Sequence, residues 1–121
     1  MSTATEAVQV FTIGPEAVGN RNVGAVVRSD TQVVLAHVWE KGGETALHSH
    51  HSSDATWVVL QGHVSFYGEG DTLLASLEPG GGIYIPRNVK YWFENDGTDR
   101  LIMVRCAAKE KGAGDDRVYV S

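Results

Sequence analysis

The 121-residue sequence contains a single cysteine, Cys106, so the chain cannot form an internal disulfide and suits a reducing compartment. It lacks an apolar run long enough to span a membrane. It also lacks a basic block or stripe, because fifteen Asp and Glu residues outnumber ten Lys and Arg residues. The first residues have neither a basic start nor a long apolar run, so we expect no signal peptide. These absences favour a cytoplasmic protein without a nucleic-acid or membrane partner.

Glycine and residues of high β-propensity are abundant. Fourteen glycines, with many Val, Thr, Trp and Tyr residues, predict short strands between tight turns. The expected strands are Val8–Ile13, Gly24–Arg28, Gln32–Trp39, Ala46–His50, Thr56–Leu60, Val64–Tyr67, Leu73–Leu77, Ile83–Ile85, Tyr91–Glu94, Leu101–Ala107 and, as a possible last strand, Val118–Val120. Many strands with short connections favour a sandwich or a closed barrel, and the length suits one domain over residues 1–121. We expect a barrel core over about 24–107, an N-terminal strand over 8–13 and a polar tail over 109–121, mobile in its charged, glycine-containing part 109–116.

Two histidines, His48 and His50, alternate in the run Leu47–His51. Alternate residues of a strand point to the same face, so these side chains would lie roughly 7 Å apart at the backbone. They could therefore converge on one metal ion at imidazole bond lengths of about 2 Å. Two ligands do not complete a site. Because a barrel brings distant strand faces together, His37 or His63 could supply a third nitrogen.

Two spaced motifs of the sequence resemble the two motifs of the cupin family. They are Gly42-x5-His48-x-His50 followed by Gly62, and Gly80-x5-Pro86-x-Asn88-x2-Tyr91-x3-Asn95. The resemblance covers roughly residues 30 to 107. It implies an all-β fold, a cupin-like double-stranded β-helix or jelly-roll barrel, with a metal or ligand site inside. Family members are often dimers that exchange or pack N-terminal strands, so the resemblance also implies a homodimer.

The sequence departs from the family pattern at two ligand positions. Ala55 stands where the family has a glutamate, and Tyr91 stands where it has its last histidine. A bulge before Ala55 could aim Asp54 inward, since bulges re-aim side chains beside sites. The resemblance then implies that Asp54 joins the histidine pair around one divalent metal ion: iron, zinc, manganese or nickel. Asn88 replaces a motif glycine, which Asn tolerates because it adopts left-handed backbone more readily than most residues.

Several further residues are candidates for the inside of the barrel. Tyr91 and Tyr84 are candidate proton carriers, with core packing as the alternative. The expected substrate-pocket residues are Trp39, Trp57, His37, His63 and Arg105. An aromatic wall would suit a flat, apolar or aromatic small molecule.

The run Leu101–Ala107 carries one charged residue, Arg105. As the outward member of the alternation it would face solvent, which is the favoured interpretation. Turned inward, it could anchor a carboxylate, phenolate or enolate. The next residue, Cys106, is expected to be a small buried hydrophobe, because no helix start lies beside it to lower the thiol pKa.

The pattern supports three hypotheses about function. The first is a small metal-dependent cupin enzyme (an oxygenase, isomerase, lyase or cyclase) that acts on a small aromatic or polyketide-like molecule. The second is a metal-free cupin that binds or senses a small molecule without catalysis. A structural or storage role is the third. Since one barrel hosts many chemistries, only the site can decide among them.

Overall fold

The structure, a computed structural model, describes residues 7–114 and 116–120. Residues 1–6, 115 and 121 lie outside it, including both ends of the expected domain and part of the expected polar tail. The strands of the described part are β1 (Val23–Arg28), β2 (Gln32–Trp39), β3 (His48–His50), β4 (Ser53–Gln61), β5 (Val64–Tyr67), β6 (Leu73–Leu77), β7 (Gly82–Ile85), β8 (Trp92–Asn95), β9 (Leu101–Lys109) and β10 (Arg117–Tyr119). Two 3-10 helices span Pro15–Ala17 and Glu69–Asp71. The all-β fold class is thereby confirmed.

The strands form three antiparallel sheets. The largest has the order β1-β2-β9-β4-β7, the second β6-β5-β8, and the third pairs β10 with β3. In the large sheet the register sets Arg105 of β9 opposite Leu35 of β2 on one side and Trp57 of β4 on the other. Opposed residues of antiparallel strands share a face, so these three side chains point to the interior of the barrel.

The two faces of the large sheet cover two separate apolar clusters. The interior cluster is built largely from aromatic and aliphatic side chains, among them Trp57, Phe66, Tyr91, Phe93 and Met103. On the opposite face a smaller cluster consists of Val18, Ala36, Val38 and Ile102. Strands buried on both faces carry apolar residues at odd and even positions alike. This is why the run Leu101–Ala107 does not reveal by its pattern which face is inside.

The prediction of an N-terminal strand over residues 8–13 is wrong. Residues 8–13 form no strand in the structure, and Val8 and Val10 are 92% and 91% exposed. The segment meets edge strand β1 through a side chain: the Gln9 amide nitrogen donates to the Arg28 carbonyl (3.1 Å), and the Arg28 N–H donates to the Gln9 amide oxygen (3.4 Å). These side-chain hydrogen bonds join the segment to β1, while Val8 and Val10 lie in solvent and Ile13 packs against the outer cluster.

The expected polar tail and the expected position of Cys106 also need correction. Strand β9 continues to Lys109, and Asp116 is buried immediately before β10. Cys106 is exposed, because Arg105 takes the inward position and the next residue of a strand must point the other way. The last strand, expected at Val118–Val120, is found one residue earlier at Arg117–Tyr119.

Two backbone positions hold the motif turns in place. Gly62 has φ +85, and a Cβ there would lie 2.5 Å from the Arg100 carbonyl oxygen, so this turn requires glycine. Asn88 has φ 69, which confirms that it occupies a left-handed position. In the part of the chain described, no helix is long and apolar enough to cross a membrane.

Candidate functional site

His48 presents one ring nitrogen to the barrel interior. It lies on β3 and is joined to Tyr91 by main-chain hydrogen bonds in both directions, of 3.1 and 2.9 Å. Its Nδ1 lies 2.8 Å from the Ala46 carbonyl oxygen. A carbonyl only accepts, so Nδ1 carries the proton and Nε2 keeps its lone pair. This Nε2 is buried and has no hydrogen-bond partner among the described residues.

His50 has the same tautomer for a different reason. Its Nδ1 lies 2.8 Å from Oδ1 of Asp116. Burial would raise the pKa of Asp116, but hydrogen bonds from His50, Ser53 and Ser52 outweigh burial and hold the pKa below its usual range. The ionised Asp116 accepts a hydrogen bond from Nδ1–H, which leaves the lone pair of His50 on Nε2. This Nε2 faces the Tyr91 hydroxyl at 3.4 Å.

Both imidazoles are held in the neutral form. Burial lowers the pKa of His48 to about 4, against a smaller opposing effect of the Ala46 carbonyl. Burial also lowers the pKa of His50, partly offset by Asp116. A neutral imidazole with a free Nε2 lone pair is the state that binds a metal ion or accepts a proton. The pair is therefore ready for either role near neutral pH.

Glu44 is a site residue that the sequence analysis missed. Its Oε1 lies 3.9 Å from His48 Nε2, and its Oε2 lies 3.5 Å from an Arg117 guanidinium nitrogen. Burial raises the pKa of Glu44, while Arg117 and Arg105 oppose the rise. The signal in the sequence was its position directly after the Gly42-Gly43 turn, four residues before His48.

The residues present fit a metal ion in part. The Nε2 atoms of His48 and His50 suit a divalent ion, and the Asp116 and Ala46 contacts are the outer hydrogen bonds that metal-binding histidines usually make. Within residues 7–114 and 116–120, however, no group of three or more His, Cys, Asp or Glu side chains is placed to hold one. Glu44 is the carboxylate beside His48, and solvent or a bound molecule would have to complete the coordination.

Arg105 is the second distinctive feature of the interior. It is only 8% exposed, and its guanidinium carbon lies 5.8 Å from the centre of the Trp57 ring. The guanidinium hydrogen-bonds the Tyr91 hydroxyl, but among the described residues its Nε has no hydrogen-bond partner and no carboxylate forms an ion pair with it. Since a buried charge without a counter-ion is costly, this guanidinium marks a place for an anion. The interpretation of Arg105 as outward-facing is corrected.

Tyr91 lies between the histidines and Arg105. It is buried, and burial raises the pKa of its hydroxyl to about 12, although Arg105 acts in the opposite direction. The side chain is therefore a neutral phenol that can donate a hydrogen bond. Its ring also packs against Phe66 and Trp57, so it belongs to the core as well as to the site.

Asp54 and Tyr84 lie on the outer face of the barrel. Strand β4 begins at Ser53 and runs without a bulge through Ala55, so Asp54 points away from the interior. Its carboxylate accepts hydrogen bonds from the Tyr84 hydroxyl (3.1 Å) and from Arg87 Nε (3.3 Å). The expectations that Asp54 turns inward and that Tyr84 serves the cavity are corrected: the structure does not bring them to the histidine pair.

The expected aromatic pocket residues are distributed differently. Trp57 and His37 pack in the core, 4.7 Å apart between ring centres, and Trp39 Nε1 donates to His37 Nδ1 at 3.1 Å. Burial, with Arg105 and Arg117, lowers the pKa of His37 to about 3. His63 lies at another part of the surface, where it contacts Asp96 and Ser76.

A cavity of about 460 Å³ opens beside His50 and Ser53. Among the described residues that line it there is no Trp, Tyr or Phe, so the expected aromatic wall is wrong for this cavity. Five charged residues contribute to the described lining instead: Arg28, Arg105, Lys109, Arg117 and Asp116. Of the expected pocket residues, Arg105 is the one that lines it.

Comparisons with known proteins support the fold. No curated protein matches the sequence. Among solved structures, an uncharacterized conserved Klebsiella pneumoniae protein with a double-stranded β-helix domain is 21% identical, with a TM-score of 0.78 over 95% of this chain and 99% of that one. Streptomyces Pac13, described as a nucleoside dehydratase and also solved with uridine, is 16% identical, with a TM-score of 0.69 over 92% and 91%. KdgF from Halomonas sp. is 17% identical, with a TM-score of 0.63 over 74% and 79%.

The family itself is shown by the sequence. The sequence model of the cupin domain matches residues 35–105, which is more than half of the chain and includes the histidine pair, Tyr91 and Arg105. The low identities of the structural neighbours show the fold alone, and that fold agrees with the double-stranded β-helix implied by the two motifs. The chain therefore belongs to the cupin domain family.

Proposed function

We propose that this protein is a small cupin enzyme that binds an anionic small molecule inside the barrel and transfers protons on it beside His48 and His50. One observation carries the proposal: in the interior that also buries Arg105 without a carboxylate partner among the described residues, the neutral His48 has an unpartnered Nε2 and the neutral His50 presents its Nε2 to the Tyr91 hydroxyl. A core under selection for stability alone would not keep an unpaired cation beside an unpartnered nitrogen, since both cost free energy.

We further propose that the Nε2 atoms of His48 and His50 hold one divalent metal ion, with Glu44 as the adjacent carboxylate. When bound, such an ion acts as a Lewis acid that polarises a carbonyl or enol oxygen. Asp116 keeps His50 in the tautomer that exposes Nε2, and the Ala46 carbonyl does the same for His48. The candidate metals are iron, zinc, manganese and nickel, and elemental analysis of the purified protein identifies which of them is bound.

Arg105 and Tyr91 bind and orient the substrate in this proposal. The Arg105 guanidinium forms charge-assisted hydrogen bonds to a carboxylate or to an enolate oxygen. The neutral Tyr91 hydroxyl donates to the same oxygen and carries a proton to or from it. The charged cavity favours an anionic substrate over the flat apolar or polyketide-like molecule expected from sequence.

A metal-free reaction is the second candidate, favoured by the missing third ligand. Without a metal, His50 Nε2 is the general base, and the ionised Asp116 stabilises the imidazolium that forms. The structural neighbour described as a nucleoside dehydratase makes an elimination reaction in a cupin barrel chemically reasonable. Binding or sensing without catalysis remains a third outcome, in which the cavity takes up a ligand that leaves unchanged.

The test is elemental analysis of untagged wild-type protein beside His48→Ala/His50→Ala, with Asp54→Asn as the matched control. We expect near-stoichiometric divalent metal in the wild type and in the control, and little in the double variant. A wild type that takes up no metal after reconstitution, while an anion still binds through Arg105, would leave the metal-free enzyme. Turnover of candidate carboxylates then separates that enzyme from a binding module.

A homodimer and a cytoplasmic location complete the proposal. The extended N-terminal segment exposes Val8, Val10 and Phe11, apolar side chains that pairing with a second copy would cover. The single Cys106 is exposed, which suits a reducing compartment. Sedimentation equilibrium of the wild type beside Val8→Ser/Val10→Ser tests the dimer.

A further inference from the structure

We infer that the substrate is a small dianion whose two negative groups are held at different depths of the cavity, one by Arg105 and the other by Arg28. The inference rests on the proposed function and deepens it, because it names the substrate class of the same site. It is carried by a β-bulge, by the register of β9 and by the charges that line the cavity.

The bulge directs Arg28 to the cavity. Strand β1 pairs with β2 as Ala25 opposite Leu35, and the register then shifts so that Val27 faces Val34 and Arg28 faces Val33. Without the shift, Arg28 would share the outer face with Val34. With it, Arg28 shares the inward face of Val33 and lines the cavity. Bulges commonly re-aim a side chain beside a site, and here the side chain is a cation.

The position of Arg28 is set by the pairing across three strands. Arg28 lies opposite Val33, which lies opposite Ala107 of β9, two residues from Arg105. At strand rise and spacing, the two arginine Cα atoms are about 12 Å apart. Arg105 is buried at the inner end, whereas Arg28 is exposed at the opening. Lys109, four residues beyond Arg105, adds a further positive charge at that end of the cavity.

The charges of the cavity lining are not balanced within it. Among the described residues that line it, the one acidic side chain is Asp116, which already accepts hydrogen bonds from His50, Ser52 and Ser53. Arg28 forms no ion pair among the described residues, and the Lys109 ammonium donates to the carbonyls of Asp30 and Ala113. The protein as a whole carries a formal charge of −5. A positive cavity in an acidic protein attracts an anion and holds it more firmly when each end has a charge.

Matched pairs of probe molecules test the second negative group. Glutarate and valerate have the same number of carbons but two carboxylates against one, and 3-phosphoglycerate and glycerate differ by a phosphate. Calorimetric titrations at low ionic strength are made on the wild type, Arg28→Gln, Arg105→Gln and Arg21→Gln. Arg21→Gln is the control, because it removes the same charge at an exposed position that does not line the cavity.

In at least one pair, we expect the dianion to bind more tightly than the monoanion. Arg28→Gln should lower the affinity for that dianion about fivefold and leave the affinity for the monoanion unchanged. The pair that responds tells whether the outer group is a carboxylate or a phosphate. Equal affinities within both pairs, or no effect of Arg28→Gln, would overturn the inference while Arg105-dependent binding keeps the proposed function. If no probe binds in a way that depends on Arg105, the anion site of the proposed function fails as well. Arg105→Lys, which keeps the charge, shows whether a loss in Arg105→Gln is due to misfolding.

Discussion

Replacing Arg105 by methionine should stabilise the ligand-free protein. The wild-type guanidinium is buried without a carboxylate ion pair among the described residues, and its favourable contacts include the Trp57 ring at 5.8 Å and the Tyr91 hydroxyl. Substituting buried ionic groups with apolar ones of similar size yields about 1–4 kcal/mol, and loss of the cation–π contact takes back about 0.5–1 kcal/mol. The net gain is then between about 0 and 3.5 kcal/mol, with roughly 3–5 °C in Tm for each kcal/mol in a chain of this length. Methionine fills the space because its side chain adapts to irregular gaps.

Urea unfolding and calorimetry of extensively dialysed protein measure the effect, since any bound anion would stabilise the wild type by mass action. Arg21→Met is the control for a charge removed at an exposed position, where a change within about 0.5 kcal/mol is expected. Arg105→Lys keeps a buried cation and should not stabilise. The reasoning is refuted if Arg105→Met lowers the free energy of unfolding by 1 kcal/mol or more, because Arg105 would then be a structural residue with partners of its own.

Three further predictions concern a buried histidine, the orienting aspartate and a tight turn. The pKa of His37 falls to about 3 in the folded state, so the unfolded chain binds the proton first below about pH 6.5. Stability is therefore lost as the pH falls from about 6.5 to 3, by up to about 1.4 kcal/mol per pH unit, and His37→Gln should flatten this slope in urea unfolding. An unchanged slope in His37→Gln would contradict the reasoning. Asp116→Asn lets the amide donate to His50 Nδ1 and moves the ring proton to Nε2, so chelator competition should show metal affinity about 10- to 100-fold lower. Equal affinity would mean that Asp116 does not set the tautomer. Gly62→Ala places a Cβ 2.5 Å from the Arg100 carbonyl at a positive φ and should cost about 2 kcal/mol or more in thermal unfolding; a cost below about 0.5 kcal/mol would show that the turn can relax.

The sequence predicted the barrel well because each strand carries its own signal. A run of β-branched and other apolar residues marks a strand such as Gln32–Trp39 without knowledge of its partners. Alternation along a strand indicates that His48 and His50 share a face. The family motifs added the order of the strands, and the two turn positions Gly62 and Asn88 have the left-handed backbone that the motifs require.

What the sequence could not predict depends on contacts between distant residues. Arg105 and Cys106 have opposite orientations, but the run that contains them is apolar on both faces, since Ile102 packs in the outer cluster and Met103 in the inner one. Asp116 reaches His50 across 66 residues through the pairing of β10 with β3, and no local pattern reports that pairing. The predicted inward orientation of Asp54 depended on a bulge before Ala55, but the register shift of β4 lies farther along, between Val59 and Gln61.

Metal content of the untagged protein tests most directly the claim that His48 and His50 form one centre. The measurement is elemental analysis after reconstitution with iron, zinc, manganese and nickel in turn, on the wild type and on His48→Ala/His50→Ala. The account predicts close to one ion per chain in the wild type for at least one of these metals, and its loss in the double variant. No ion in the wild type, or an equal amount in both proteins, would contradict it.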